Sequence, residues 1–188
     1  MTSSLSQDHF TPDFIIKSIE KVVGGSIDLD AASNPIANKL IKARRFYDED
    51  SLSKSWKSDI VYCNPPGGRT NKDSNVKLFW NKALSSFNSG EVKNLFFMFF
   101  SHEAMIFCED SYSFITCVFS KRLKFIKFDG VNFIEQGSPA HASALVLMTN
   151  SSALKRDFIS EFQKYGNILV GLGKKSLENN RDIISLIK

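Results

Sequence analysis

The chain predicts an α/β fold, a sandwich of helices around a mainly parallel central sheet, on three observations. Helical and strand-like segments alternate through the first half of the sequence. The run Asn94-Leu95-Phe96-Phe97-Met98-Phe99-Phe100 is apolar at both alternating sets of positions, as a strand covered on both faces must be. Strand-like runs then crowd the C-terminal half, adding strands to the same layer.

Element by element, Thr11 reads as an N-cap and Pro12 as the first helical residue, followed by the apolar stripe Phe14, Ile15, Ile19, Val22 and Val23 and a stop at Gly24-Gly25. A short strand is expected over residues 26–30, and Asn34-Pro35 opens a second helix expected to run to about Arg44. A strand over residues 60–63 leads into Asn64-Pro65-Pro66-Gly67 and a polar loop, 67–75, expected to be mobile because it holds two glycines and little to bury. A helix carrying Phe79, Trp80, Ala83, Leu84 and Phe87 precedes the central run. Residues 114–119, 123–128 and 142–148 read as strands with turns at Gly130 and Gly137-Ser138-Pro139. A helix over 152–165 and a strand over 167–170 close the sheet, and the tail 171–188 carries no more than a terminal helix.

All 188 residues fit one domain, with 43% hydrophobic residues to fill one core. No run of about 18 apolar residues and no basic-then-apolar leader is present, so neither a membrane span nor a signal peptide is predicted, and a cytoplasmic location is expected. Cys63, Cys108 and Cys117, like His9, His102 and His141, are scattered without metal-ligand spacing, which argues against a disulfide framework and a metal. The net charge of +4 is compatible with a polyanionic partner or simply with a solvated surface. The local basic stretches are 39–45, 121–127 and the set Arg69, Lys72 and Lys77.

The segment with the most chemistry is Asn64-Pro65-Pro66-Gly67 at a strand's end. Proline lacks an N–H, so two in succession leave carbonyls without competing donors beside an Asn whose side-chain oxygen also accepts. Pro66 restricts Pro65 to the extended region and so limits where the Pro65 carbonyl points. Such a site suits an exocyclic amino group, whose nitrogen lone pair is drawn out of conjugation when both N–H bonds are accepted. Asn-Pro is also a common turn opener, and on that reading the segment only ends a strand.

Asp28 and Asp30 alternate with Ile27 and Leu29, which puts both carboxylates on one face at the end of the first strand or projects them into the loop after it. Two acids there suit a ribose diol, a cationic amine or a metal, or merely cap a helix. No Gly-x-Gly-x-x-Gly and no Gly-Lys-Ser/Thr follows any strand, so the usual cradles for a pyrophosphate or triphosphate are missing. A cofactor with ribose hydroxyls and an amino-acid tail but no phosphate is left.

Phe10-Thr11-Pro12, Ile27-Asp28-Leu29-Asp30-Ala31-Ala32, Asp50-Ser51-Leu52 with Trp56, and Val61-Tyr62-Cys63-Asn64-Pro65-Pro66 follow one another in this order. Together they resemble the ordered motifs of the phage-type (Dam-like) DNA N6-adenine methyltransferases. Trp80-Asn81-Lys82-Ala83, Arg122-Leu123-Lys124-Phe125, Ser138-Pro139 ahead of the strand near 144–148, and residues 158–166 extend the likeness to residues 8–170.

The resemblance implies a Rossmann-like fold that binds S-adenosylmethionine and modifies DNA in a bacterial or phage-infected cell. Phe10, Thr11 and Pro12 would line the cofactor pocket. Asp28, Asp30 and Ala31 would hold its methionine amine or ribose, with Asp50 and Leu52 facing its adenine. Asn64, Pro65, Pro66 and Gly67 would form the catalytic turn, with Asn64 also beside the cofactor. The chain departs from the family at Gly67, where an aromatic residue usually stacks on the flipped base. Trp80 and Phe79 are the nearest rings in sequence to replace it, and Arg69, Lys72 and Lys77 would touch phosphates. Alternatives are methyl transfer to another amino or amide nitrogen, of an RNA base or a protein glutamine, and a catalytically silent binding homologue. No segment forms a separate target-recognition domain, so low or short sequence specificity is expected.

Overall fold

The computed structural model describes residues 9–137 and 140–171; the expected turn at Ser138-Pro139 and the tail beyond Gly171 lie outside the described residues. The elements are α1 (Asp13–Val23), β1 (Leu29–Asp30), α2 (Ala37–Ile41), β2 (Arg45–Phe46), β3 (Ser58–Cys63), β4 (Arg69–Thr70), β5 (Asp73–Ser74), α3 (Asn75–Asn88), β6 (Val92–Phe99), β7 (Ile115–Phe119), β8 (Ile126–Phe128), β9 (Phe133–Glu135), β10 (Ala144–Thr149), α4 (Ser152–Phe162) and β11 (Gly166–Leu169).

The α/β class is as the sequence predicts, and the sheet is mixed. Seven strands stand in the order β11-β7-β10-β6-β3-β1-β2. The four from β2 to β6 are mutually parallel, whereas β10 lies antiparallel between β6 and β7, and β11 is antiparallel to β7. The parallel character therefore belongs to the half that carries one shared strand direction through β2, β1, β3 and β6. The chain leaves β1 for β2 on one side and comes back to β3 on the other. Strand order reverses at that point, and open α/β sheets place ligand crevices outside the carboxyl ends of strands there.

Each face of the sheet is covered. On one side Ile15, Ile16 and Ile19 of α1 and Phe158 and Phe162 of α4 pack on Tyr62, Phe96 and Met98. On the other, Phe79, Trp80 and Ala83 of α3 pack with Trp56 on Val61, Cys63, Phe97 and Phe99. β6 supplies both layers, which accounts for its unbroken apolar run. The helices α1 and α4 are also tied through Glu161, which accepts from Ser18 Oγ at 2.8 Å and Lys21 Nζ at 2.7 Å.

Four local expectations change. The first helix starts at Asp13 with Pro12 as its cap residue, and no side chain caps it, so the Thr11 hydroxyl is used elsewhere. The second helix stops at Ile41 because Lys42 adopts a left-handed conformation (φ 56°), and Arg45–Phe46 becomes an edge strand. Residues 126–128 form a two-stranded ribbon with β9 instead of joining the main sheet. The loop 67–75 is a structured hairpin: β4 and β5 pair across Asn71 and Lys72, both at positive φ, the geometry that matches strand twist in two-residue hairpins. Asn75 Nδ2 closes it by donating to the Gly67 carbonyl at 2.9 Å.

Candidate functional site

The register between β1 and β3 sets Asp30 beside Tyr62 on the α1 face of the sheet. Asp30 is 2% exposed at the carboxyl end of β1, at the strand-order reversal. Burial pushes its carboxyl up to about 7, against the opposing pull of hydrogen bonds from Ser33 and the Ala32 amide. The Ala32 N–H contact is long, at 3.3 Å, and among the described residues no cation pairs with Asp30. A buried acid without a cationic partner is expensive to ionise, and this one faces the crevice position of the fold.

Tyr62 is fully buried, and its hydroxyl shares a short hydrogen bond with Thr11 Oγ1. Burial first, and Asp30 in addition, holds the Tyr62 phenol well above its usual range, so it stays a neutral hydroxyl. The Thr11 hydroxyl also accepts from Asn64 Nδ2 at 3.3 Å, and the same amide donates to the His9 carbonyl at 2.8 Å. Both N–H bonds of Asn64 are thus taken by the segment entering α1. The amide plane is oriented, and among the described residues no donor reaches Asn64 Oδ1. Pro65 is buried behind it, Pro66 and Gly67 are exposed, and no described donor reaches the Pro65 carbonyl. Two acceptors therefore stand at the carboxyl end of β3, next to the acid at the end of β1.

The turn at Asp50 to Leu52 joins this edge through Ser51, whose hydroxyl donates to the Ala31 carbonyl, while Trp56 Nε1 donates to the Ser51 carbonyl at 3.0 Å. Asp50, at φ 52°, and the exposed Leu52 line a depression of about 290 Å³ with Phe79. Pro12 lines a second depression, of about 420 Å³, with Phe14, Lys121 and Arg122. Thr11, Asp30, Ala31, Asn64, Pro65 and the 50–52 turn are thus brought to one edge of the sheet.

Other expected site residues are placed elsewhere. Asp28 stands at the entrance of β1, not at its exit: its Oδ2 accepts from the Ile60 amide at 2.9 Å and its Oδ1 pairs with Arg44 at 3.2 Å. One oxygen ties the start of β1 to β3 and the other ties it to the residue that leads into β2, so the two acids do not converge. Phe10 is core, bridged to Ile126 through its backbone and 6% exposed. Trp80 is 1% exposed, edge-on to Phe97 at 5.2 Å and against Phe99 at 5.4 Å. The α3 stripe sends that ring into the core, which removes it as a stacking partner for a base. A Cβ at Gly67 would meet nothing within 4 Å, so the place where a ring would stand is open space. Arg69, Lys72 and Lys77 are all exposed along the hairpin and the first turn of α3.

Sequence reasoning missed Tyr62 and the His9 carbonyl. The first had a signal: a tyrosine inside an apolar strand must find a partner for its hydroxyl. The second had none, since a backbone carbonyl carries no residue code. Among the described residues no cluster of His, Cys, Asp and Glu is placed to hold a metal ion, and no helix is long and apolar enough to cross a membrane. Comparisons with protein-family models, curated proteins and solved structures find no match to this chain.

Proposed function

We propose that this chain is an S-adenosylmethionine-dependent methyltransferase with a Rossmann-like fold that modifies the exocyclic amino group of adenine in DNA. The observation that carries the reading is the pairing, on adjacent strands at the strand-order reversal, of a buried acid with the Asn64 and Pro65 acceptors, where among the described residues the acid has no cation and the acceptors no donor. The donor set fits the cofactor: S-adenosylmethionine bears an ammonium and a sulfonium, either of which supplies the positive charge that Asp30 lacks, and it has no phosphate needing a glycine-rich cradle. Asp30 would hold the amine or ribose, and the 50–52 turn would border the adenine. When bound, the cofactor supplies an electrophilic methyl group.

The protein's own part is positioning. Asn64 Oδ1 and the Pro65 carbonyl accept the two N–H bonds of the target amine, drawing its lone pair out of the ring and along the direction of attack. The hydrogen bonds from Asn64 Nδ2 to His9 and Thr11 keep the acceptor from rotating, so no reorganisation is needed at the moment of transfer. Arg69, Lys72 and Lys77 form an exposed cationic border for the DNA backbone. The open space at Gly67 favours a second reading, a silent homologue that binds nucleic acid or protein without catalysis.

Incubation of the protein with methyl-labelled S-adenosylmethionine and DNA, followed by nucleoside mass spectrometry, tests this. N6-methyladenine is the expected product; cofactor binding with no label in any base would move the assignment to the silent homologue.

A further inference from the structure

The wall of the site beyond Asn64 is built by Phe100, the residue that directly follows β6. Continuing the β3 to β6 register one residue past Cys63 and Phe97 sets Asn64 beside Met98, and Phe100 follows on the same face one pleat further out. Strand spacing and rise put the Asn64 and Phe100 backbones about 8 Å apart. Phe100 is half-buried and is the centre of a ring cluster. His9 stacks on it at 5.0 Å, Phe125 lies at 5.1 Å, and the exposed His141 meets it edge-on at 5.8 Å. His9 is the residue whose carbonyl anchors Asn64, so cluster and acceptor share one support.

We propose that the Phe100 cluster is the aromatic wall against which the target base is held. The inference rests on the methyl-transfer reading and gives a structural reason for a planar heteroaromatic amine over an aliphatic amide as its substrate. An aliphatic amide, as in a glutamine side chain, has no aromatic ring to pack against these rings. Rings prefer offset or edge-to-face contact with other rings, the two arrangements already present around Phe100. The wall centres on Phe100, directly after β6, so it compensates for Gly67 without involving α3.

The test is steady-state methyl transfer to an adenine-containing oligonucleotide and, separately, to a glutamine-containing peptide. It is read alongside the emission of 2-aminopurine at the target position. Phe100→Leu is expected to raise KM for the oligonucleotide roughly 5- to 150-fold, the span of one base–aromatic contact, with kcat changed less than about threefold. It should also raise 2-aminopurine emission, which loss of packing alone would not do, and Phe100→Tyr should restore both. If Phe100→Leu does not fold, His141→Ala, which alters an exposed ring, carries the same expectation of a raised KM. Unchanged KM and emission in the variants, with an active wild type, overturn the wall and leave the methyl-transfer reading standing. Transfer to the peptide and not to the oligonucleotide overturns the substrate class, and no transfer by the wild type to either overturns both readings.

Discussion

Asp30→Asn should make the protein more stable while removing its ability to bind S-adenosylmethionine. The carboxyl is buried, and burial raises it from an ordinary 3.8 to about 7. That difference corresponds to ~4 kcal/mol. Between about pH 4 and pH 7 the unfolded chain has released this proton and the folded chain still holds it, so folding stability falls as pH rises through that window and stays reduced above it. Asparagine carries no such cost and keeps an oxygen for the Ala32 amide. The ligand-free variant should therefore gain up to ~4 kcal/mol at pH 8, or about 8–16 °C in Tm for a chain of this size, and almost nothing near pH 4. In the wild type, if the cofactor's cation binds only ionised Asp30, affinity should rise about tenfold from pH 6 to pH 8. Thermal melts of both proteins at the two pH extremes, with calorimetric titration of the cofactor, measure each quantity. A variant less stable than wild type at pH 8, or one that binds the cofactor as tightly, would refute the reasoning.

Asn64→Ala should cut methyl transfer ~10²-fold or more while cofactor affinity moves little, because the side chain meets the target amine and one positioned acceptor is lost; near-full turnover in single-turnover assays would remove it from the mechanism. Replacing Arg69, Lys72 and Lys77 together by alanine should weaken binding to all DNA sequences alike and flatten the salt dependence by about one unit per lost phosphate contact, and an unchanged slope in fluorescence-anisotropy titrations would return them to a solvated surface. Trp80→Ala should lower stability by about 3–5 kcal/mol in urea unfolding, as deletion of a core aromatic does. Gly67→Tyr, by contrast, enters open space and should leave stability nearly unchanged, with little gain in DNA-dependent activity because the Phe100 cluster already supplies the aromatic contact, and a melt showing the reverse order would contradict the packing described.

The local meaning of the chain was largely legible. Backbone chemistry made Asn64-Pro65-Pro66 an acceptor turn, and period and apolar density made 94–100 a central strand, because both depend on residue type and spacing alone. The sheet's class followed from alternation. Its direction at one edge did not: nothing in residues 144–149 distinguishes a strand inserted antiparallel between β6 and β7 from one added parallel at the rim. Likewise Asp28 and Asp30 are equivalent in sequence, and only the pairing partners separated them, giving one to Arg44 and Ile60 and leaving the other buried without a cation. Trp80 and Phe100 show the same division. Both are aromatic residues near the proposed turn, but the pitch of α3 turns one ring into the core, while the other follows the end of β6 and packs on His9, whose carbonyl anchors Asn64. Sequence by itself determined which groups were available and what each can donate or accept. The tertiary structure decided which were already satisfied, since burial and hydrogen-bond partners belong to neighbours distant in the chain, and the buried groups left unsatisfied are what point to a ligand.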